Sequence, residues 1–324
     1  MSKVAVVKGD GIGPEVVDQA LAVLSVLDLD LDITEYELGG SRYLNDGFIL
    51  SDEVLAEWKS FDAILLGAVG HPEVEPGLIE RELLLKMRFD LDLYVNQRPF
   101  VSTEGKGHDF VVVRENTEGA YVGEGGVLRK GTPKEVATQG SVNTRFGVER
   151  CIRYAFGLAA QRSNKLHLVH KTNVLNYSGD LWNRTFEEVS KEFPGVETNY
   201  HHVDAACIHM VENPGTYDVI VTDNLFGDII TDLAGAVSGG IGSAASANLN
   251  PDRTGPSMFE PVHGSAPDIA GQNKANPVAA IRSLALMLEF LGFAGQAERV
   301  DKACHQASGD MTTEIGQSVV GALS

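Results

Sequence analysis

Asp228 and Asp232 stand four residues apart in the segment TDNLFGDIITDL, 222–233. On a helix beginning near Phe226 that spacing puts both carboxylates on one face, where like charges repel. Pairing with a helix N-terminus suits Asp228 but fades one turn later, at Asp232. A divalent cation held by oxygen ligands suits both, with Asp204 of HHVDAACIHM, 201–210, as a third donor. Mg2+ or Mn2+ fits such a set, because few carboxylates then leave positions for substrate oxygens. His201 and His202 raise zinc as an alternative, but neighbours along a strand point to opposite faces, which argues against it.

Three arginines are candidates for anion binding. Arg88 and Arg98 lie ten residues apart in MRFDLDLYVNQRP, and Arg114 ends the apolar run that follows. Converging on one cleft they would clamp two carboxylates bidentately; surface ion pairing in an acid-rich chain is the other reading, and spacing alone does not choose. Lys171, partly desolvated near a metal, could serve as general base. Tyr121, seven residues after Arg114, could serve as general acid. In EPVHGSAPDIAGQNKANP, 260–277, Gly264, Ser265 and Ala266 leave backbone amides open to a ligand, and Asp268 could accept both ribose hydroxyls of a nucleotide. The same loop could simply cap the helix that starts after Asn276-Pro277.

VKGDGIGPE, 7–15, superficially suggests a dinucleotide-binding turn. The fingerprint is G-x-G-x-x-G, whereas Gly9, Gly11 and Gly13 run G-x-G-x-G and Pro14 takes the third-glycine position. A tight strand-to-helix turn with proline in the first helical turn accounts for it.

The elements that must position these residues are short. Apolar runs at 3–7, 62–66, 110–113, 165–169 and 217–221 are continuous rather than alternating, the pattern of parallel strands covered on both faces. Helical stretches at 14–27, 144–162 and 277–291 lie between them or follow them, which predicts an α/β fold. Gly9-Asp10-Gly11, Arg114-Glu115-Asn116, Lys171-Thr172-Asn173 and Asp223-Asn224 each follow a strand, where open α/β sheets bind ligands. The segments 68–77 and 123–135 read as surface excursions, the second as a hairpin arm toward a partner subunit or a mobile loop. The chain has 324 residues, 43% of them hydrophobic, and a formal net charge of −19. Length suggests about two domains. The acidic excess argues against nucleic acid or an anionic membrane as partner. Cys151, Cys207 and Cys304 form no disulfide framework, and no apolar stretch approaches membrane-spanning length, so a cytoplasmic globular protein is expected.

The segments GDGIGPE, NQRP, VVVRENTEGAY, HKTNVL, DNLFGDIITDLAGAVSGGIG and MFEPVHGSAPDIAGQNKANP together resemble the β-decarboxylating 2-hydroxyacid dehydrogenases, the family of isopropylmalate and isocitrate dehydrogenases, and within it the isopropylmalate branch of actinobacterial type. The resemblance implies an isopropylmalate dehydrogenase-like two-domain open-sheet fold, not a Rossmann fold. It implies an NAD-binding domain over 1–94 and 240–324, and a metal, substrate and dimerisation domain over 95–239 with an arm near 121–136. It gives Arg88, Arg98 and Arg114 to the malate carboxylates, Tyr121 to proton donation and Lys171 to the base. Asp204, Asp228 and Asp232 become Mg2+ or Mn2+ ligands, and His263, Asp268, Ile269 and Asn276 NAD-binding positions. Lys171 and Asp204 would enter from the neighbouring subunit, making a homodimer the minimal active unit. The implied reaction is oxidative decarboxylation of 3-isopropylmalate with reduction of NAD+, in leucine biosynthesis.

Isocitrate enzymes present a serine and an asparagine six and four residues before the first clamp arginine; here those positions are Glu82 and Leu84, with Leu85 adjacent. Glu82 would repel a γ-carboxylate, and Leu84 and Leu85 would pack an isopropyl group, although Arg81 could reach over to a carboxylate. RENTEG also occurs in isocitrate and homoisocitrate enzymes, and the stretch between Pro99 and Phe110 is short for the family. The remaining alternatives are an isocitrate-, homoisocitrate- or tartrate-type dehydrogenase, a non-redox metal-dependent decarboxylase that leaves the 263–276 loop idle, and a catalytically silent nucleotide-binding module, against which Lys171, Tyr121 and the three aspartates argue.

Overall fold

The computed structural model describes residues 1–102 and 107–323; residues 103–106 of the short stretch after Pro99 lie outside it. The chain divides into two compact units, Met1–Leu93 with Ser238–Ser324, and Tyr94–Val237.

In the first unit, strands numbered along the chain are β1 (Ser2–Gly9), β2 (Leu31–Glu35), β3 (Ala63–Ala68), β11 (Ala245–Leu249) and β12 (Ser257–Pro261). They run β2-β1-β3-β12-β11, parallel except for the antiparallel pair β11–β12. Val4–Val7 and Ala63–Leu66 are buried without alternation, as covered parallel strands require. Helix Gly13–Ser25 buries Val16, Val17, Ala20, Val23 and Leu24, a single stripe at helical spacing. Helix Val278–Phe290 packs on β11 and β12 and is buried nearly all round.

The glycine turn after β1 is a packing knot. Gly9 (φ +74°) and Gly11 (φ +58°) are in left-handed conformations, and a Cβ on either would stand 2.0 Å from a carbonyl oxygen, of Ala68 and of Ser265 respectively. The buried Asp10 carboxylate accepts from the backbone N–H of Gly40 (2.7 Å), Ser41 (2.9 Å) and Gly70 (3.0 Å), gathering three loops at the strand ends.

In the second unit the strands are β4 (Val95–Val101), β5 (Asp109–Glu115), β6 (Gly125–Leu128), β7 (Val136–Gln139), β8 (Lys165–His170), β9 (Glu197–His202) and β10 (Val219–Thr222). The sheet order is β4-β5-β10-β8-β9, with β4 antiparallel to β5 and the others parallel. The carboxyl ends of β5, β10, β8 and β9 therefore share one edge, and Arg114, Asp223, Lys171 and Asp204 sit on or just past those ends. Helices Arg145–Ala160, Asn176–Ser190, Val203–Glu212 and Asn224–Val237 complete the unit. Strands β6 and β7 pair as a separate, wholly exposed hairpin over the glycine-rich segment. Among the described residues no helix is long and apolar enough to cross a membrane.

Two buried ionisable groups in this unit have opposed pH signatures. Burial pushes the Glu115 carboxyl up to about 7, against hydrogen bonds donated by Thr117 and Glu118. Burial pushes His167 down to about 4, helped by nearby His201, Lys165 and His209. Glu115 thus stabilises the fold fully below its unfolded pKa of about 4.5, and that contribution is lost as pH rises to about 7. His167 stabilises it fully above about 6.5, and its contribution is lost as pH falls to about 4. In thermal melts between these limits, the midpoint of Glu115→Gln minus that of the wild type should rise with pH, and that of His167→Phe should fall. Parallel slopes would contradict the assignment.

Candidate active site

Arg114 organises the second unit's cluster. Its guanidinium is 1% exposed; Nε and Nη2 donate to Asn224 Oδ1 (2.9 and 2.7 Å), and Nη1 donates to Asp228 Oδ1. The other Asp228 oxygen accepts from the Tyr121 hydroxyl at 2.6 Å, and the guanidinium lies 5.1 Å from the centre of the Tyr121 ring. Burial and the Asp228 carboxylate raise the Tyr121 pKa, so the phenol keeps its proton. The Arg114 stem lies flat on helix Asn224–Val237 because residue 227 is glycine: a Cβ there would stand 2.5 Å from Arg114 Cγ. One turn on, Thr231 Oγ1 accepts from Arg98 Nη1 at 2.7 Å. The helix starts at Asn224, two residues earlier than spacing suggested, because Asp223 Oδ1 accepts from Phe226 N at 2.8 Å and caps it. Asp232 is exposed on the same helix.

Lys171 Nζ and Asp204 Oδ1 form a second pair, 2.5 Å apart. Lys171 opens a turn after β8 whose Thr172 N–H donates to Tyr200 (3.1 Å), and Asp204 opens helix Val203–Glu212. The hydrogen bond from Lys171 lowers the pKa of this exposed aspartate. His201 and His202 take different partners, Tyr217 and Tyr200. Among the described residues no three Asp, Glu, His or Cys side chains gather as a metal site. The all-carboxylate donor chemistry of Asp204, Asp228 and Asp232 fits a hard divalent cation.

In the first unit Arg88 is buried and donates from Nη2 to Glu260 Oε1 at 3.0 Å, while its buried Nε makes no hydrogen bond. Glu260 also accepts from Asn248 at 2.8 Å. The segment before Arg88 departs from α-helical spacing: Glu80–Leu85 is a π-helix, and only Lys86–Asp90 is α-helical. A wider turn rotates the residues behind Arg88 away from where a 3.6-residue period puts them. Leu84, partly buried, packs against the core cluster around Leu83, Trp58 and Leu66, and Leu85 beside it is also partly buried. Glu82, expected beside a substrate side group, lines a surface groove with Gly47–Ser51 and Lys86. Glu80 Oε1 and Ser265 Oγ each stand 3.6 Å from where a Cβ on Gly70 would lie.

The 263–276 loop folds onto the glycine knot, with Ile12 N donating to Ser265 O at 2.9 Å. Ala266 is left-handed (φ +39°) and precedes a turn of 3-10 helix, Pro267–Ile269, with the Asp268 residue exposed. Gly264 is exposed, and Ser265 and Ile269 are partly so. His263 Nδ1 lies 3.1 Å from Gly264 O, and burial lowers its pKa. Asn276 Oδ1 accepts from Val278 N at 3.0 Å, at the start of the next helix. Sequence reading missed the in-chain partners of the arginines, Glu260, Asn224 and Thr231; only Asn224 carried a signal, as the residue after a strand end beside Asp223.

A family model described as isocitrate/isopropylmalate dehydrogenase matches residues 3–321. The chain is 56% identical to a curated 3-isopropylmalate dehydrogenase of Corynebacterium glutamicum over 99% of both chains. Identity to that of Nocardia farcinica is 57%, over 99% of this chain and all of the relative. For Thermobifida fusca it is 58%, over 93% and 89%. Among solved structures, an isocitrate dehydrogenase from Methylococcus capsulatus superposes with TM-score 0.91 at 34% identity, covering 100% of this chain and 99% of the other. A β-decarboxylating dehydrogenase from Thermococcus kodakarensis, in apo form, gives 0.84 at 37% identity over 100% and 96%.

Gly227→Ala should lower unfolding free energy by about 1–3 kcal/mol through overpacking against Arg114. Chemical denaturation of Gly227→Ala, Arg114→Ala and the double variant tests this: the double variant should lose less than the sum, and strict additivity would refute the contact.

Proposed function

The chain belongs to the isocitrate/isopropylmalate dehydrogenase family, and from that premise we propose that it oxidatively decarboxylates (2R,3S)-3-isopropylmalate to 4-methyl-2-oxopentanoate, reducing NAD+, as a step of leucine biosynthesis. The carrying observation is the 56–58% identity to the three curated 3-isopropylmalate dehydrogenases across nearly the whole chain.

Arg88, Arg98 and Arg114 bind the malate carboxylates. Glu260, Thr231 and Asn224 with Asp228 fix the guanidinium planes before substrate arrives, so little orientation entropy is lost on binding. Asp228 and Asp232, with Asp204, would hold Mg2+ or Mn2+, which when bound supplies Lewis acidity toward the C2 oxygen and the developing enolate. Lys171 accepts the C2 hydroxyl proton, and Tyr121 returns a proton to the carbon that loses CO2; NAD+, when bound, would supply the hydride acceptor. The NAD+ site comprises His263, Gly264, Ser265, Ala266, Asp268, Ile269 and Asn276. Asp268 accepts the ribose hydroxyls and repels the 2′-phosphate of NADP.

The active unit is a homodimer in which Lys171 and Asp204 serve the partner's site. Three observations support this: the three aspartates do not gather within one chain; Lys171 and Asp204 are paired with each other; and Ile208, Val211, Leu225 and Ile229 are exposed on the two mutually packed helices that carry Asp204 and Asp228. Such apolar exposure marks an interface.

The direct test is NADH formation with a panel of 2-substituted malates, isocitrate and tartrate. Preferred oxidation of 3-isopropylmalate is expected. Efficient oxidation of isocitrate would overturn the substrate, and CO2 release without NADH would overturn the redox assignment. Lys171→Met should nearly abolish turnover while metal and NAD binding persist, and mixing it with Tyr121→Phe should restore partial activity; no recovery despite confirmed subunit exchange would exclude a shared site. Leu85→Ala should lower kcat/KM for 3-isopropylmalate about tenfold or more. Leu84→Ala should instead cost about 1–3 kcal/mol of stability, and the reverse pattern would contradict the π-helical placement. Asp268→Lys with Ile269→Tyr should shift preference toward NADP, an assignment that wild-type preference for NADP would refute.

A further inference from the structure

His170 is the last residue of β8 and immediately precedes Lys171. Its ring is wholly buried, stacked on Trp182 (centroids 5.8 Å apart) and edge-on to Phe226 (5.4 Å). Among the described residues neither ring nitrogen finds a hydrogen-bond partner. Phenylalanine would fill this sandwich without burying two polar atoms, which is costly when they lack partners. What an imidazole adds is a polar approach to Asp223, whose Oδ2 lies 3.4 Å from Nε2, an ion pair only when the ring is protonated. Asp223 is also buried, and its other oxygen caps the helix that carries Asp228 and Asp232.

We propose that the buried His170–Asp223 pair is a positioning device that ties the Lys171 turn to the N-terminus of the Asp228/Asp232 helix. It rests on the functional reading above for the roles of those groups. In a dimer with shared sites, Lys171 acts in the partner's site and Asp228 in its own, so the pair is a physical link between the two sites. Neither residue touches substrate; both act through the elements they join.

The test is a double-mutant cycle of His170→Phe, Asp223→Asn and their combination. Phenylalanine keeps the aromatic packing, and asparagine caps a helix as well as aspartate does. Each single variant should lower kcat about tenfold at saturating Mn2+, with the double variant no worse than the poorer single. KM should change less than about twofold, which separates positioning of the chemistry from loss of substrate binding. His170→Phe should melt no lower than the wild type, whereas a packing role alone predicts no kcat loss. Mn2+ titration without substrate or NAD should show weaker binding in both singles. That readout judges the pair independently of the substrate, so failure of the wild type to oxidise 3-isopropylmalate would refute the functional reading and not the link. Unchanged kcat, unchanged Mn2+ affinity or additive losses would overturn the proposal.

Discussion

A guanidinium charge held at 1% exposure constrains much of the second unit. Burying Arg114 alone would cost several kcal/mol, and the cost is offset by Asn224 and Asp228 on one helix and by the Tyr121 ring. Satisfying that charge dictates where the helix lies, why it needs glycine at 227, and which way Asp228 points. The same contact explains why two aspartates one turn apart are tolerated: one is neutralised from within, and the other is left in solvent. Tyr121 hydrogen-bonds the neutralised carboxylate, so a fixed cation, a carboxylate and a retained phenolic proton share one arrangement.

Much of this was legible in the sequence because parallel sheets write themselves as continuous apolar runs. Val4–Val7, Ala63–Leu66, Phe110–Val113, Leu166–Val169 and Val219–Val221 are all buried on both faces, and the polar residues after them fall at strand ends. Strands β2 and β9 were not legible, since both are sheet edges with partly exposed, polar sequences. β4 was obscured by Arg98 and Pro99, which an antiparallel strand accommodates beside β5.

The candidate site residues could be named one by one from the sequence, whereas their in-chain partners could not. Nothing in the spacing of Arg88 announces Glu260, 172 positions away, because such a pairing depends on tertiary approach. The π-helix at Glu80–Leu85 was invisible for a different reason: Leu83, Leu84, Leu85 and Met87 satisfy an α-helical stripe equally well, and the wider turn is set by which leucines the core takes. There Glu82 lines a surface groove and Leu84 packs against the core cluster.

The proposed metal site draws on Asp228 and Asp232 from one helix and on Asp204, which pairs with Lys171. The most direct measurement is Mn2+ binding to an isolated mixed dimer of one Asp204→Asn protomer and one Asp232→Asn protomer. A shared site predicts one ion per dimer at wild-type affinity, because the first protomer's Asp228 and Asp232 meet the second's Asp204. Absence of any tight site in that mixed dimer, with each parent homodimer equally deficient, would contradict it.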